Sequence, residues 1–135
     1  MIPFDLPPTM GHTVSPKWDG QNFVFGNQST PVLEYSENFD GWSDDLTSLH
    51  EEVLGEGHPI DFASRKDALR QVKKFLPSES AVIMDIGCSS GHFIRDLVKT
   101  FPKAVIIGAD VVKETLYRLA RNLPRIPLIL IPKGR

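Results

Sequence analysis

Cysteine is nearly absent from this chain. Cys88 is the only one in 135 residues, which rules out an internal disulfide and any cysteine-based metal cluster. The four histidines (His12, His50, His58 and His92) show no metal-ligand spacing, so no metal is expected. No apolar run approaches the roughly 20 residues of a membrane-spanning helix. The N-terminus has no basic segment followed by an apolar one, the mark of a secretory signal. A cytoplasmic protein without membrane contact is therefore the expectation. Internal repeats and low-complexity tracts are missing as well.

Basic residues are scarce in the first half. Residues 1–64 hold one Lys or Arg (Lys17) and eleven Asp or Glu, a net −10. Residues 65–135 hold fourteen Lys or Arg and six Asp or Glu, a net +8. An acidic arm lying against a basic body would explain the split, as would a basic surface for an anion. Solvated helix faces are the simplest account. The basic residues are spread over several segments without aromatic interleaving, which argues against nucleic acid as a partner.

What is present has a clear order. Residues 1–16 carry Pro3, Pro7, Pro8 and Pro16 and read as a flexible leader. Residues 18–35 suggest a small hairpin, with Phe23-Val24-Phe25 and Val32-Leu33 as strands and Gly26-Asn27 as the turn. Residues 36–58 are acidic, with room for a short helix near 44–53. Asp61 is a candidate N-cap for a helix running to about Leu76, whose apolar face would be Ala68, Leu69, Val72, Phe75 and Leu76. Then strand-like and helix-like patterns alternate: strand 81–86, helix 91–101, strand 104–109, helix 112–123, strand 127–131. Such alternation with short loops predicts an α/β unit, βαβαβ around a parallel sheet. Two regions follow, an N-terminal leader and acidic arm (1–60) and an α/β half-domain (61–135).

The segment from Ile83 to Gly91, Ile-Met-Asp-Ile-Gly-Cys-Ser-Ser-Gly, carries the chemistry. It takes a buried strand through an acidic, glycine-containing turn into a helix whose Ile94, Leu97, Val98 and Phe101 form one apolar stripe. A strand turning through glycines into a helix N-terminus is a nucleotide-type site. The dinucleotide pattern G-x-G-x-x-G, aligned on Gly87, needs glycines at 89 and 92, where the chain has Ser89 and His92. Asp85 would also repel a pyrophosphate. The frame acid-x-G-x-G-x-G fits Asp85, Gly87 and Gly91, with Ser89 in the middle glycine position, a substitution that expects negative φ there.

That frame resembles the Rossmann-like class I S-adenosylmethionine (SAM) methyltransferases, over about residues 61–131 and most closely over 82–110. The resemblance implies SAM as cofactor and methyl transfer as activity. SAM carries a sulfonium and an ammonium and no phosphate, so an acidic lining complements it. By position, Asp85, Gly87, Cys88, Ser89 and Gly91 would cradle its amino-acid end. Asp110, at the end of the second strand, would hold the ribose hydroxyls, with Val111 flanking the adenine. Arg65 is a candidate for the SAM carboxylate; Trp42, His58 and Asp61 are further residues to watch. Cys88 as a nucleophile is weaker than Cys88 as a small residue filling the turn. His92 reads as a first-turn surface residue.

The family continues beyond its third strand with an adenine-binding loop and a fourth strand, and the chain has neither. The expected fold is therefore a Rossmann-like half, truncated after its third parallel strand and preceded by an irregular arm. Its first strand would be an open edge, apolar on both faces. Either a second copy pairs there, making a homodimer, or the edge belongs to a longer protein, and the edge argument favours the latter. The acceptor is unidentified, with a small molecule favoured, and no catalytic residue is assigned. The alternative function is a non-catalytic nucleotide-binding or dimerising module.

Overall fold

A computed structural model of the chain describes residues 2–36 and 59–133, with residues 59–61 as backbone only. Trp42, His58, the Asp61 side chain and the short helix expected near 44–53 lie outside these described residues.

The alternating half forms as the pattern predicts. Strand β5 (Val82–Ile86) leads to helix α2 (His92–Thr100), β6 (Val105–Asp110), helix α3 (Lys113–Asn122) and β7 (Leu128–Leu130). A helix α1 (Pro59–Phe75) precedes them. β5 pairs in parallel with β6, and β6 with β7. Buried residues along β6 and β7 show that these inner strands are covered on both faces. Ile83, Ile106, Leu128 and Leu130 pack with Ile94 and Leu97 of α2 and Leu116 and Leu119 of α3 on one face. Val82, Ile107, Ala109 and Ile129 pack on the other.

The N-terminal residues depart from expectation in three ways. The hairpin consists of β1 (Lys17–Trp18), β2 (Phe23–Phe25) and β3 (Gln28–Thr30), antiparallel, with Phe25 opposite Gln28 across the Gly26-Asn27 turn. Val32-Leu33 is not its second strand. Instead β4 (Val32–Glu34) joins the main sheet, parallel to β7, giving the order β4-β7-β6-β5. Val32 and Leu33 are both fully buried, one in the core on each face of the sheet, so this edge strand is covered on both sides and is not part of an exposed hairpin. The structure is thus an α/β fold with a four-stranded parallel sheet and three helices among the described residues, compatible with a Rossmann-like arrangement.

The proline-rich leader is not loose. Leu6 is buried against Phe23, Leu33, Ile107 and Ile129, and the Tyr35 hydroxyl donates to the Pro7 carbonyl at 2.6 Å. Prolines exclude helix but suit an extended segment lying across a sheet face. The third departure concerns α1. It starts at Pro59, whose fixed φ suits a first helical turn, so Asp61 lies inside the helix and is not its N-cap. Leu69 and Val72 reach the core, whereas Phe75, assigned to the buried face, is 72% exposed.

β5 forms one edge of the sheet, as the sequence leads one to expect. Met84 and Ile86 are exposed there. They alternate with Ile83 and Asp85 and so lie on the face that the hairpin and leader cover only farther across the sheet.

Candidate functional site

The carboxyl ends of β5 and β6 carry the two acids. In the parallel register Asp85 lies opposite Gly108, so Asp110, two residues on, projects from the same face of the sheet. Burial lifts the Asp85 carboxyl above its ordinary range, and the neighbouring charge of Asp110 lifts it further. Two acids lie near each other on one sheet face, an arrangement that a cation relieves.

Asp110 is buried and organises the turn. Its Oδ2 accepts a hydrogen bond from the Ser89 N–H at 2.8 Å, and its Oδ1 accepts from Val111 N–H (2.6 Å) and Val112 N–H (3.2 Å). The second oxygen forms an Asx-type turn that leads the chain into α3, whose N-cap is Val112. The Asp-Val-Val run before a helical pattern was the sequence signal for this second duty. Two oxygens offer about four acceptor sites, so the three N–H groups do not exhaust Asp110.

The turn from Gly87 to Gly91 has left-handed backbone at three positions: Gly87 (φ 83), Ser89 (φ 50) and Gly91 (φ 82). Ser89 therefore does not keep the negative φ expected of it. In this conformation its amide donates to Asp110, and that charge-assisted bond offsets the strain of a left-handed L-residue. Ser89→Gly is expected to raise stability by about 0.5 kcal/mol, the strain relieved less the extra chain entropy of glycine. Urea unfolding of the two proteins checks this; a loss of stability would mean that the serine side chain holds the turn.

Gly91 meets a harder constraint. A Cβ there would lie 2.6 Å from Leu119 Cδ1 of α3, so the start of α2 sits directly on α3. Gly108 is similarly enclosed, by Ile94, Leu128 and Cys88, which brings α2 close to the sheet.

Cys88 turns its thiol toward the sheet. It is buried beside Gly108, and its N–H, like that of Gly87, donates to the Ala109 carbonyl. Burial pushes its thiol far up, with the charges of Asp110 and Asp85 adding to the effect. It supports the turn from beneath, as a small residue filling it. Arg65 is also committed: its Nε donates to Asp96 Oδ2 of α2 at 2.9 Å, a mostly buried ion pair that ties α1 to α2. Sequence reasoning missed Asp96 because the partners lie on different helices. Val111 follows Asp110 and is partly buried.

The chain is similar to a methyltransferase. Over 81 aligned residues it is 30% identical to the malonyl-[acyl-carrier protein] O-methyltransferase of Halalkalibacterium halodurans. The match covers 56% of this chain and 30% of that protein, so the chain spans under a third of its relative's length. No family profile matches the chain, and no solved structure matches it. Among the described residues no helix is long and apolar enough to cross a membrane, and no group of His, Cys, Asp or Glu could hold a metal ion.

The raised Asp85 pKa makes a testable statement about stability. The unfolded chain releases this proton at an ordinary carboxylate pH of about 4, whereas the folded chain keeps it to higher pH. Asp85 therefore costs stability as pH rises from that value through its folded pKa, and the cost is complete above it. Asp85→Asn is expected to be more stable than the parent at pH 7, with the advantage gone below about pH 4. Urea titrations at several pH values check this; a variant less stable at pH 7 contradicts it.

Proposed function

We propose that this chain carries the SAM-binding part of a methyltransferase. The observation that supports this best is the pair of carboxylates, Asp85 and Asp110, on one sheet face beside a left-handed, glycine-flanked turn. The similarity to a methyltransferase supports it independently. The residues fit SAM: the acids complement its sulfonium and ammonium, and Gly87 is open on the side where a Cβ would project.

In this reading Asp110 accepts from the ribose hydroxyls with its remaining lone pairs while holding Ser89, and Asp85 lies toward the cationic end. Gly87, Ser89 and Gly91 bring backbone close to the methionine portion, and Val111 lines the adenine. Bound SAM supplies an electrophilic methyl group on sulfur. The protein's contribution is to hold that carbon in line with a nucleophile. The acceptor is proposed to be a small molecule. The relative's name describes O-methylation of a malonyl group on a carrier protein.

A cation beside Asp85 favours its ionised form. SAM affinity is therefore expected to rise with pH from about 4 through the raised Asp85 value and then level off. Calorimetric titrations across that range test this; affinity that falls as pH rises would count against the site. NADH should bind no better than a non-specific anion, and a saturable change in its fluorescence would favour a dinucleotide site.

The open edge at β5 favours one second reading, a dimerising module in which two copies pair along Val82–Ile86. Exposed Met84 and Ile86 would then be covered by the partner. Sedimentation equilibrium decides: a strict monomer at all concentrations removes this reading.

A further inference from the structure

A polar cleft lies behind the turn, between α2 and α3. It measures about 570 Å³ and is lined by Ser90, His92 and Arg95 on one side and by Thr115, Arg118 and Asn122 on the other, with Leu119 at its base. His92 and Arg95 are one turn apart on α2. Thr115, Arg118 and Asn122 recur at i, i+3 and i+7 on α3, so they share one face. Two guanidinium side chains, an imidazole, a carboxamide and a hydroxyl thus converge from facing helices. Among the described residues that line the cleft, none is an Asp or Glu.

We propose that this cleft binds a phosphoryl group, either as free phosphate or as a small phosphate monoester. Guanidinium groups match phosphate oxygens in paired hydrogen bonds, and donors on two helices suit a tetrahedral anion that accepts from several directions. Arg95 is held in place by a long bond from Nη1 to the Ser90 carbonyl, at 3.4 Å. That bond uses one of its five N–H donors and tethers the arginine to the cofactor turn. The acids of the SAM site project from the sheet at Asp85 and Asp110, and neither lines this cleft. The proposal does not depend on SAM binding: a chain that fails to bind SAM could still bind phosphate here, and the reverse.

The test is a titration of the ¹⁵N-labelled chain with inorganic phosphate at constant ionic strength, followed by amide NMR. Saturable shifts are expected at Ser90, His92, Arg95, Arg118 and Asn122, and matched chloride should produce none. Arg95→Gln with Arg118→Gln is expected to weaken binding at least 10-fold. If that pair of changes unfolds the chain, Arg118→Lys alone, which keeps the charge but loses the planar fork, should still weaken it measurably. Glycerol 3-phosphate binding more tightly than inorganic phosphate identifies a phosphate monoester as the ligand; equal or weaker binding identifies the free anion. Shifts that grow linearly without saturating, or that are unchanged in the arginine variants, overturn the proposal. Acetate binding as tightly as phosphate also overturns it.

Discussion

Asp110→Asn is expected to lower SAM affinity about 100-fold, equivalent to about 2.7 kcal/mol, and to destabilise the fold at the same time. Both effects come from one carboxylate. Asparagine has a single oxygen acceptor. If that oxygen stays on the Val111 and Val112 N–H groups, the new NH₂ faces the Ser89 N–H, donor against donor. If the amide flips, two N–H groups at the entry to α3 lose their acceptor. Either arrangement leaves a donor unsatisfied where a charge-assisted bond stood, a cost of about 3 kcal/mol. Released from Asp110, Ser89 has nothing holding it at positive φ, so the turn relaxes away from the shape that would meet the cofactor. Calorimetry with SAM and urea unfolding read the two losses separately. Asp110→Asn with parental stability would mean that the three amide bonds contribute little. Parental affinity would remove Asp110 from the ribose.

Gly91→Ala is the second large effect, about 2–4 kcal/mol of lost stability. Part of it is the strain of an alanine at φ 82, about 1 kcal/mol or more. The rest is overpacking, since the methyl would stand 2.6 Å from Leu119 Cδ1 and must push α2 off α3 or drive Leu119 from its rotamer. The two parts can be separated. Leu119→Ala in the Gly91→Ala background should recover the overpacking term but not the strain, so the double-mutant cycle is expected to show coupling of at least 1 kcal/mol. Additive losses would mean that Leu119 moves freely aside. The cleft of Arg95 and Arg118 lies against this same contact, so Gly91→Ala should disturb phosphate binding as well.

The βαβαβ half was legible because its signals are local. Ile94 and Leu97 state a helical period, although Val98, expected on the same apolar stripe, is exposed. Val82–Ile86 states a strand, although its Met84 and Ile86 are exposed and only one face is covered along its length. Asp85 and Asp110 could be placed near each other on one sheet face because neighbouring parallel strands bring their carboxyl ends together. The N-terminal region is not legible in the same way because its decisive partners are far away in sequence. Val32-Leu33 has the composition of a strand, but nothing near it says that its partner is Leu128–Leu130. The Gly26-Asn27 turn was read correctly and its partner strand was not, because Gln28–Thr30 is polar and paired only on its hairpin side. Leu6 was hidden among prolines, and one buried leucine suffices to fix an extended segment to a sheet face. Ser89 shows the limit at the site itself. Its φ is set by a carboxylate from another strand, a contact that no local pattern contains. The same holds for Cys88, whose direction depends on the gap above Gly108.

The two acids oppose each other at a cost to the fold. Asp85 is lifted by burial and by Asp110, and such mutual opposition is characteristic of sites awaiting a partner of opposite charge. SAM binding by this chain is the central claim. Isothermal calorimetry of the chain with SAM at pH 7.5 tests it most directly. The account predicts saturable one-to-one binding that is weakened in Asp85→Asn and about 100-fold weaker in Asp110→Asn. No heat of binding from a folded chain, or equal affinity in all three proteins, would contradict it.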